Sequence, residues 1–209
     1  MIEAIIFDMD GVLIDSEPVY MNYLYEFLKE QGLTYPESVY HQKIGSSKSV
    51  ADDLPDYNPS YDFIGFKEKM ATHSKAFTMD YHQVFRKDWL NEFAYFKNQQ
   101  LKMAIASSSP MKVITDLVKT CQLDTYFEAY VSGRDLKESK PAPDIFLLAA
   151  QKINVQPKNC LVIEDSHNGV LAGKAAGMKV IGLIDDRFEQ DLEEADAKIK
   201  DIKDLRMFI

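Results

Sequence analysis

Cysteine is scarce: only Cys121 and Cys160 occur in 209 residues. That excludes a disulfide framework, and because both lie in apolar patterns they read as buried thiols. Long apolar runs are missing as well, and the longest fall far below the roughly 20 residues a membrane-crossing helix needs. There is no excess of basic charge. Against 33 acidic side chains stand 24 Lys and Arg, a net charge of −9, which argues against general nucleic-acid or membrane-surface binding, since both need a basic face. A small anionic ligand stays possible, because a few local cations and a metal can dominate one pocket. The four histidines, His41, His73, His82 and His167, are scattered, with no pair at metal-ligand spacing on one helix. No serine-hydrolase elbow, Walker-type glycine spacing, internal repeat or low-complexity tract is present. The first residues follow a strand-like pattern without a basic region or cleavage signal, so the expected location is cytoplasmic. At 46% hydrophobic and 27% charged, the composition is that of an ordinary soluble globular protein. The length suits one sizeable core, or a core plus a small second domain.

What is present is organised. Residues 3–8 read as a buried strand ending in Asp8. Ser16 is placed to cap a helix with Pro18 in its first turn. That helix carries an apolar stripe through Tyr20, Tyr23, Leu24, Phe27 and Leu28 and stops at Gly32. From about 33 to 82 aromatic and polar residues mix and Pro36, Pro55 and Pro59 interrupt, which predicts a small helical insert. A helix is predicted over 84–97. An α/β alternation follows, with strands at 101–106, 129–132, 160–163 and 178–183, helices from Pro110, over 143–153 and over 170–176, a solvated acidic helix at 185–196, and an edge strand at 197–199. Such alternation implies right-handed crossovers and a parallel sheet covered on both faces. Ligand sites in these sheets lie beyond the carboxyl ends of the strands. Three strands here finish in polar residues: Asp8, Ser107 and Glu164-Asp165. The three ends are expected to crowd one edge.

Each polar end has a plain reading and a chemical one. Asp8-Met9-Asp10-Gly11 can be an ordinary turn, or a carboxylate that attacks phosphorus or holds a metal beside one that moves a proton. Glu164-Asp165 can simply serve the amides of the next helix. Gathered at one edge, however, carboxylates repel by about 4 kcal/mol for two unit charges roughly 4 Å apart at an effective dielectric near 20. A divalent cation relieves this, and hard oxygen donors without Cys or His favour Mg²⁺ over zinc. Lys140, before Pro141-Ala142-Pro143-Asp144, is either a surface lysine ahead of a helix or a cation that keeps Asp8 ionised and neutralises phosphate oxygens. Ser107 and the amides of Ser108 and Ser109 either cap a helix or bind an anion.

Taken together, Asp8-Met9-Asp10-Gly11-Val12, Ser107, Lys140 and Glu164-Asp165-Ser166-His167-Asn168-Gly169-Val170 resemble, in order, the four motifs of the haloacid dehalogenase superfamily. Lys140-Pro141-Ala142-Pro143-Asp144-Ile145-Phe146 and Ala175-Ala176-Gly177-Met178 match the wording of its β-phosphoglucomutase-like phosphatase branch. The resemblance spans essentially the whole chain. It implies an α/β fold: a Rossmann-like parallel-sheet core (1–14 and 83–209) with helices on both faces, and a small α-helical cap domain (15–82) inserted after the first strand. By the same resemblance Asp8 is the nucleophile and Asp10 the general acid and base, with Ser107 and Lys140 completing the catalytic set. Mg²⁺ is held by Asp8, the main-chain carbonyl of Asp10 and Asp165, with Glu164 a direct or water-mediated ligand. Ser107, Ser108 and Lys140 hold the phosphate, and Lys48 and Gly45, in a loop with Lys43, correspond to the cap's substrate-selecting segment. The implied activity is Mg²⁺-dependent hydrolysis of a small phosphorylated metabolite, foremost a sugar phosphate, through an aspartyl phosphate, by a monomer or weak homodimer without nucleic-acid or membrane partners. The alternatives are a phosphosugar mutase and a regulatory module without catalysis. Tyr20 stands where the mutases carry a histidine and speaks against the first; the intact motif set speaks against the second. Two further departures are a cap return, Asp80-Tyr81-His82-Gln83-Val84, without the usual proline-glycine turn, and Arg134 where relatives carry an acidic residue.

Overall fold

The structure, a computed structural model, describes residues 1–41 and 50–209. Strand β1 (Ala4–Phe7) leads into helices α1 (Glu17–Glu30), α2 (Glu37–His41), α3 (Val50–Tyr57), α4 (Phe66–Ser74), α5 (Tyr81–Val84) and α6 (Leu90–Asn98). Strands and helices then alternate: β2 (Lys102–Ser107), α7 (Met111–Thr120), β3 (Ala129–Ser132), α8 (Asp144–Lys152), β4 (Cys160–Glu164), α9 (His167–Ala175), β5 (Lys179–Leu183) and β6 (Ala197–Ile199). The strands form one sheet in the order β3-β2-β1-β4-β5-β6, and each neighbouring pair is parallel. This is the parallel sheet expected from the α/β alternation, in the Rossmann-like form that the family resemblance implies.

Successive side chains of a strand point to opposite faces, and the sheet has a core on each. On one face Ile5, Phe7, Met103, Ile105, Leu161 and Ile163 pack with Trp89, Phe93, Ile114 and Leu117, from the α6 and α7 side. Phe7 meets Phe93 and Phe127 edge-on, with centroids 5.5 and 5.7 Å away. On the other face Ala4, Ile6, Ala104, Ala106, Val162 and Val180 pack with Phe146 and Ala149 of α8 and Val170 and Ala172 of α9. Small residues dominate this second layer, which lets α8 and α9 approach closely.

The sheet order reverses between β1 and β4. From β1 the chain builds outward through β2 and β3; it then returns to β4 and builds the other way. Such a switch point opens a crevice beyond the strand ends. Phe7 pairs in register with Ile105 of β2 and with Ile163 of β4, so Asp8 emerges at that crevice between the ends of both strands.

Between β1 and β2 the described residues of the insert form helices and no strand. Phe27, Leu28, Leu33, Tyr35, Tyr40, Leu54 and Phe66 make a third hydrophobic cluster of their own. The two connections to this insert run side by side: Asp15 N–H donates to Val84 O at 2.8 Å, Arg86 N–H to Leu13 O at 3.1 Å, and Ile14 pairs antiparallel with Phe85.

This pairing corrects the helix expected over 84–97. Phe85 is extended, at φ −69° and ψ 132°, because residues 84–86 serve the junction; a short 3₁₀ turn follows before α6. The acidic stretch 185–196 is not a helix either. Asp185 and Asp191 take the amides of Arg187 and Glu193 into local turns, which compete with helical hydrogen bonding. A helix there would also stack like charges four apart. Ser16 is buried but gives α1 no side-chain cap, and of the two thiols Cys160 is buried and Cys121 only half-buried.

Candidate active site

Lys140 stands at the centre of the crevice. Its Nζ donates to Asp8 Oδ1 at 2.5 Å and to Glu164 Oε1 at 2.6 Å. Both carboxylates and the ammonium are nearly withdrawn from solvent. The other oxygen of Glu164 accepts from the amides of Asp165 and Ser166 and from Ser166 Oγ, at 2.9–3.0 Å. Ser166 Oγ in turn accepts from Gly169 N–H and caps α9. Thus the start of α9 orients Glu164, Glu164 orients Lys140, and Lys140 fixes one oxygen of Asp8.

Two glycines make this approach possible. A Cβ on Gly169 would lie 1.7 Å from Glu164 Oε1, and one on Gly11 would lie 2.0 Å from Asp165 Oδ2. Gly11 also holds φ +77° in the turn after Asp10, a conformation open to glycine at no steric cost. The carboxylates of Glu164 and Asp165 occupy the space these side chains would fill.

Asp10 has separate partners. Ser109 Oγ donates to Asp10 Oδ2 at 2.9 Å. Ser109 is itself held, with its N–H donating to Ser107 Oγ at 3.0 Å and its carbonyl accepting from Ser132 Oγ at 2.9 Å. Among the described residues, Asp10 Oδ1 is buried and has no hydrogen-bond partner.

Burial pushes the Asp8 carboxyl up to about 7, helped by Glu164 and opposed by Lys140. Burial also raises Asp165, with Glu164 and Asp8 adding to the effect. Asp10 is raised by burial as well, while the hydroxyls of Ser109, Ser16 and Tyr20 oppose the rise. Lys140 moves the other way from what burial alone would do: desolvation is its largest influence, but Asp8 and Glu164 together raise it above its ordinary value. One ammonium facing four carboxyls leaves an excess of negative charge.

One oxygen each from Asp8, Glu164 and Asp165 fall within 4.8 Å of one another. All-oxygen donors at this spacing fit a hard divalent cation, which would reverse the upward shifts. Both oxygens of Glu164 already have protein partners, so Asp8 and Asp165 are the freer donors.

The structure therefore gathers Asp8, Asp10, Ser107, Lys140, Glu164 and Asp165 at one edge of the sheet. Ser108 is exposed beside them. Lys43, Gly45 and Lys48 lie outside the described residues. Tyr20, on α1, has its ring 5.3 Å from that of Phe77, and the negative charge of Asp10, after burial, raises its hydroxyl. The sequence pattern offers Ser109 as an anion-binding amide or as a cap of the next helix. Instead, α7 has Pro110 at its N-cap and no side-chain cap, and the use of the Ser109 hydroxyl for Asp10 depends on the pairing of Ser107 with Ser132 across β2 and β3, which no local pattern encodes. The spatial parts of Gly11 and Gly169 were equally hidden, although both sit inside the motifs.

The sequence model of the haloacid dehalogenase-like hydrolases matches residues 5–183. The chain belongs to that family. Among its relatives, a phosphorylated carbohydrates phosphatase of Thermotoga maritima is 31% identical over 186 residues, covering 86% of this chain and 83% of the relative. The fructose-1-phosphate phosphatase YqaB of Escherichia coli is 30% identical over 180 residues, covering 85% and 94%. Solved structures share the fold: CbbY of Rhodobacter sphaeroides in complex with phosphate superposes with a TM-score of 0.76 at 22% identity, over 98% of this chain and 96% of that one. A β-phosphoglucomutase of Clostridium difficile gives 0.72 at 21%, over 99% and 96%. As a haloacid dehalogenase-like hydrolase, the chain carries its candidate machinery within the matched region, from Asp8 to Asp165. Among the described residues, no helix is long and apolar enough to cross a membrane.

Proposed function

We propose that this protein is a Mg²⁺-dependent phosphatase of small phosphorylated carbohydrates, acting through a phosphorylated Asp8. The observation that carries the reading is the convergence of Asp8 with Lys140, Glu164 and Asp165 at the sheet's switch point, with Asp10 two residues on and held apart by Ser109. The named activities of the relatives support phosphorylated carbohydrates as the substrate class.

Asp8 attacks phosphorus through a carboxylate oxygen as the ester P–O bond breaks. Asp10 delivers its proton to the departing sugar oxygen. The resulting Asp10 carboxylate takes a proton from water, whose oxygen attacks the phosphorus. The acyl phosphate bond breaks, releasing inorganic phosphate and the Asp8 carboxylate. Dividing the displacement in this way replaces one hard step by two easier ones. Alignment and charge neutralisation supply most of the acceleration in phosphoryl transfer; here Lys140 and Ser107 lie where the phosphate oxygens would gather. Asp8 and Asp165, with the main-chain carbonyl of Asp10, would hold Mg²⁺, whose charge would offset that of the phosphate and keep Asp8 ionised. Residues 15–82 act as a cap that closes over the crevice and excludes water, hinged where residues 13–15 and 84–86 run together.

The test is phosphate release from a panel of phosphorylated carbohydrates, with and without Mg²⁺. Wild type is expected to release phosphate only with the metal, and Asp8→Asn to release none while keeping its fold. Asp10→Asn is expected to lose about 10²–10⁴-fold, the usual worth of general acid–base catalysis. Turnover by Asp8→Asn, or isomerised sugar phosphates without free phosphate, would end this reading.

A further inference from the structure

The segment after β5 reaches back to the acidic site. Gln190 Nε2 donates to the carbonyl of Asp165 at 2.9 Å and to that of Leu183 at 3.3 Å, while its Oε1 accepts from Asp185 N–H at 2.7 Å. The N–H of Asp165 is already bonded to Glu164 Oε2 at 2.9 Å. Asp165 is thereby pinned at both its amide and its carbonyl, and its carboxylate rests against Gly11. The same segment grips the start of the insert: Arg187 forks onto both oxygens of Asp15, at 2.9 and 2.6 Å, and Phe188 meets His41 edge-on, with centroids 5.4 Å apart.

Asp165 lies in the turn between β4 and α9, where neither strand nor helix fixes the backbone. A carboxylate ligand is only as well aimed as the backbone that carries it, and groups behind metal ligands commonly set affinity. We propose that Gln190 is a positioning residue for Asp165, holding its backbone so that its carboxylate is aimed at the cation. This rests on the metal reading of the site. Glutamine suits the task because one terminus supplies two donors for the two carbonyls and an acceptor for the Asp185 amide. Glutamate keeps only the acceptor, methionine keeps only the length, and asparagine is one methylene short.

Mg²⁺ affinity is measured directly, by isothermal titration and by the Mg²⁺-dependent rise in melting temperature, alongside Mg²⁺-dependent phosphate release. Gln190→Glu and Gln190→Met are expected to weaken Mg²⁺ binding about tenfold, with the half-saturating Mg²⁺ concentration for activity rising in step. The methionine variant shows the same loss without an added charge. Lys200→Ala, which removes only the exposed pair with Asp186, is expected to keep wild-type affinity. A merely structural role for Gln190 would lower the melting temperature of the metal-free protein and leave Mg²⁺ affinity within twofold, and that result would overturn the proposal. So would an equal loss in Lys200→Ala. If wild type itself binds no Mg²⁺, the metal reading falls and takes this proposal with it; if wild type binds and both Gln190 variants bind equally well, only the proposal falls.

Discussion

At the scale of single residues, two hydrogens on two glycines determine whether the site can assemble. Glu164 and Asp165 lie against Gly169 and Gly11 so closely that no other side chain can replace either glycine without moving a carboxylate. The consequence differs between them. Gly169→Ala would displace Glu164, which holds Lys140, which holds Asp8. A shift of about 1 Å passed along that chain is expected to lower kcat roughly 10²-fold. Gly11→Ala presses on Asp165 and in addition strains a backbone at φ +77°, so its main effect should fall on Mg²⁺ affinity. Steady-state kinetics at several Mg²⁺ concentrations separate the two. Unchanged kcat in Gly169→Ala would mean that Glu164 does not position Lys140.

At the scale of elements, what was legible in the sequence followed from periodicity, and what was not followed from contacts between distant segments. The buried strand runs and the amphipathic stripes of α1 and α7 are properties of short windows, and the strands fall within a residue or so of where the pattern puts them. The break at Phe85 is invisible in that way, because its cause is the chain at 13–15 alongside. The same is true of Glu92, an acidic residue on α6 that is almost wholly buried. Arg206, in the 3₁₀ helix Ile202–Met207 near the C-terminus, bonds both its carboxylate oxygens at 2.8 Å and stacks over Tyr95, 4.2 Å from the ring centroid. More than a hundred residues separate the partners, so neither predicts the other. Removing one member of such a pair strands the buried charge, whereas removing both need not. Arg206→Ala is therefore expected to lower the melting temperature more than the Arg206→Ala/Glu92→Gln double variant does. Thermal unfolding of wild type and both variants measures this, and a double variant less stable than the single one would show that the pair is not what holds the C-terminal segment to α6.

At the scale of the molecule, the strand order brings three polar strand ends to one crevice, and with them more negative charge than Lys140 can balance. The order of the motifs made this convergence legible, but its electrostatic cost follows only from burial. In the metal-free protein the Asp8 carboxyl stands at about 7 against an ordinary 3.8, chiefly because it is buried. The folded state therefore holds a proton that the unfolded chain releases. Stability linked to Asp8 is complete below about 4 and is lost as pH rises through about 7. Asp8→Asn carries no such charge, so in the absence of metal the variant should gain on wild type between pH 5 and pH 8, seen as a growing difference in melting temperature. Saturating Mg²⁺ supplies the missing positive charge and stabilises only a folded state that binds it. It should then raise wild type most at the alkaline end, where the carboxylate is free of its proton, and narrow the gap to Asp8→Asn. A pH-independent difference without metal would mean that Asp8 does not hold its extra proton in the folded state across this range and release it as pH rises, and the charge imbalance argued here would fall.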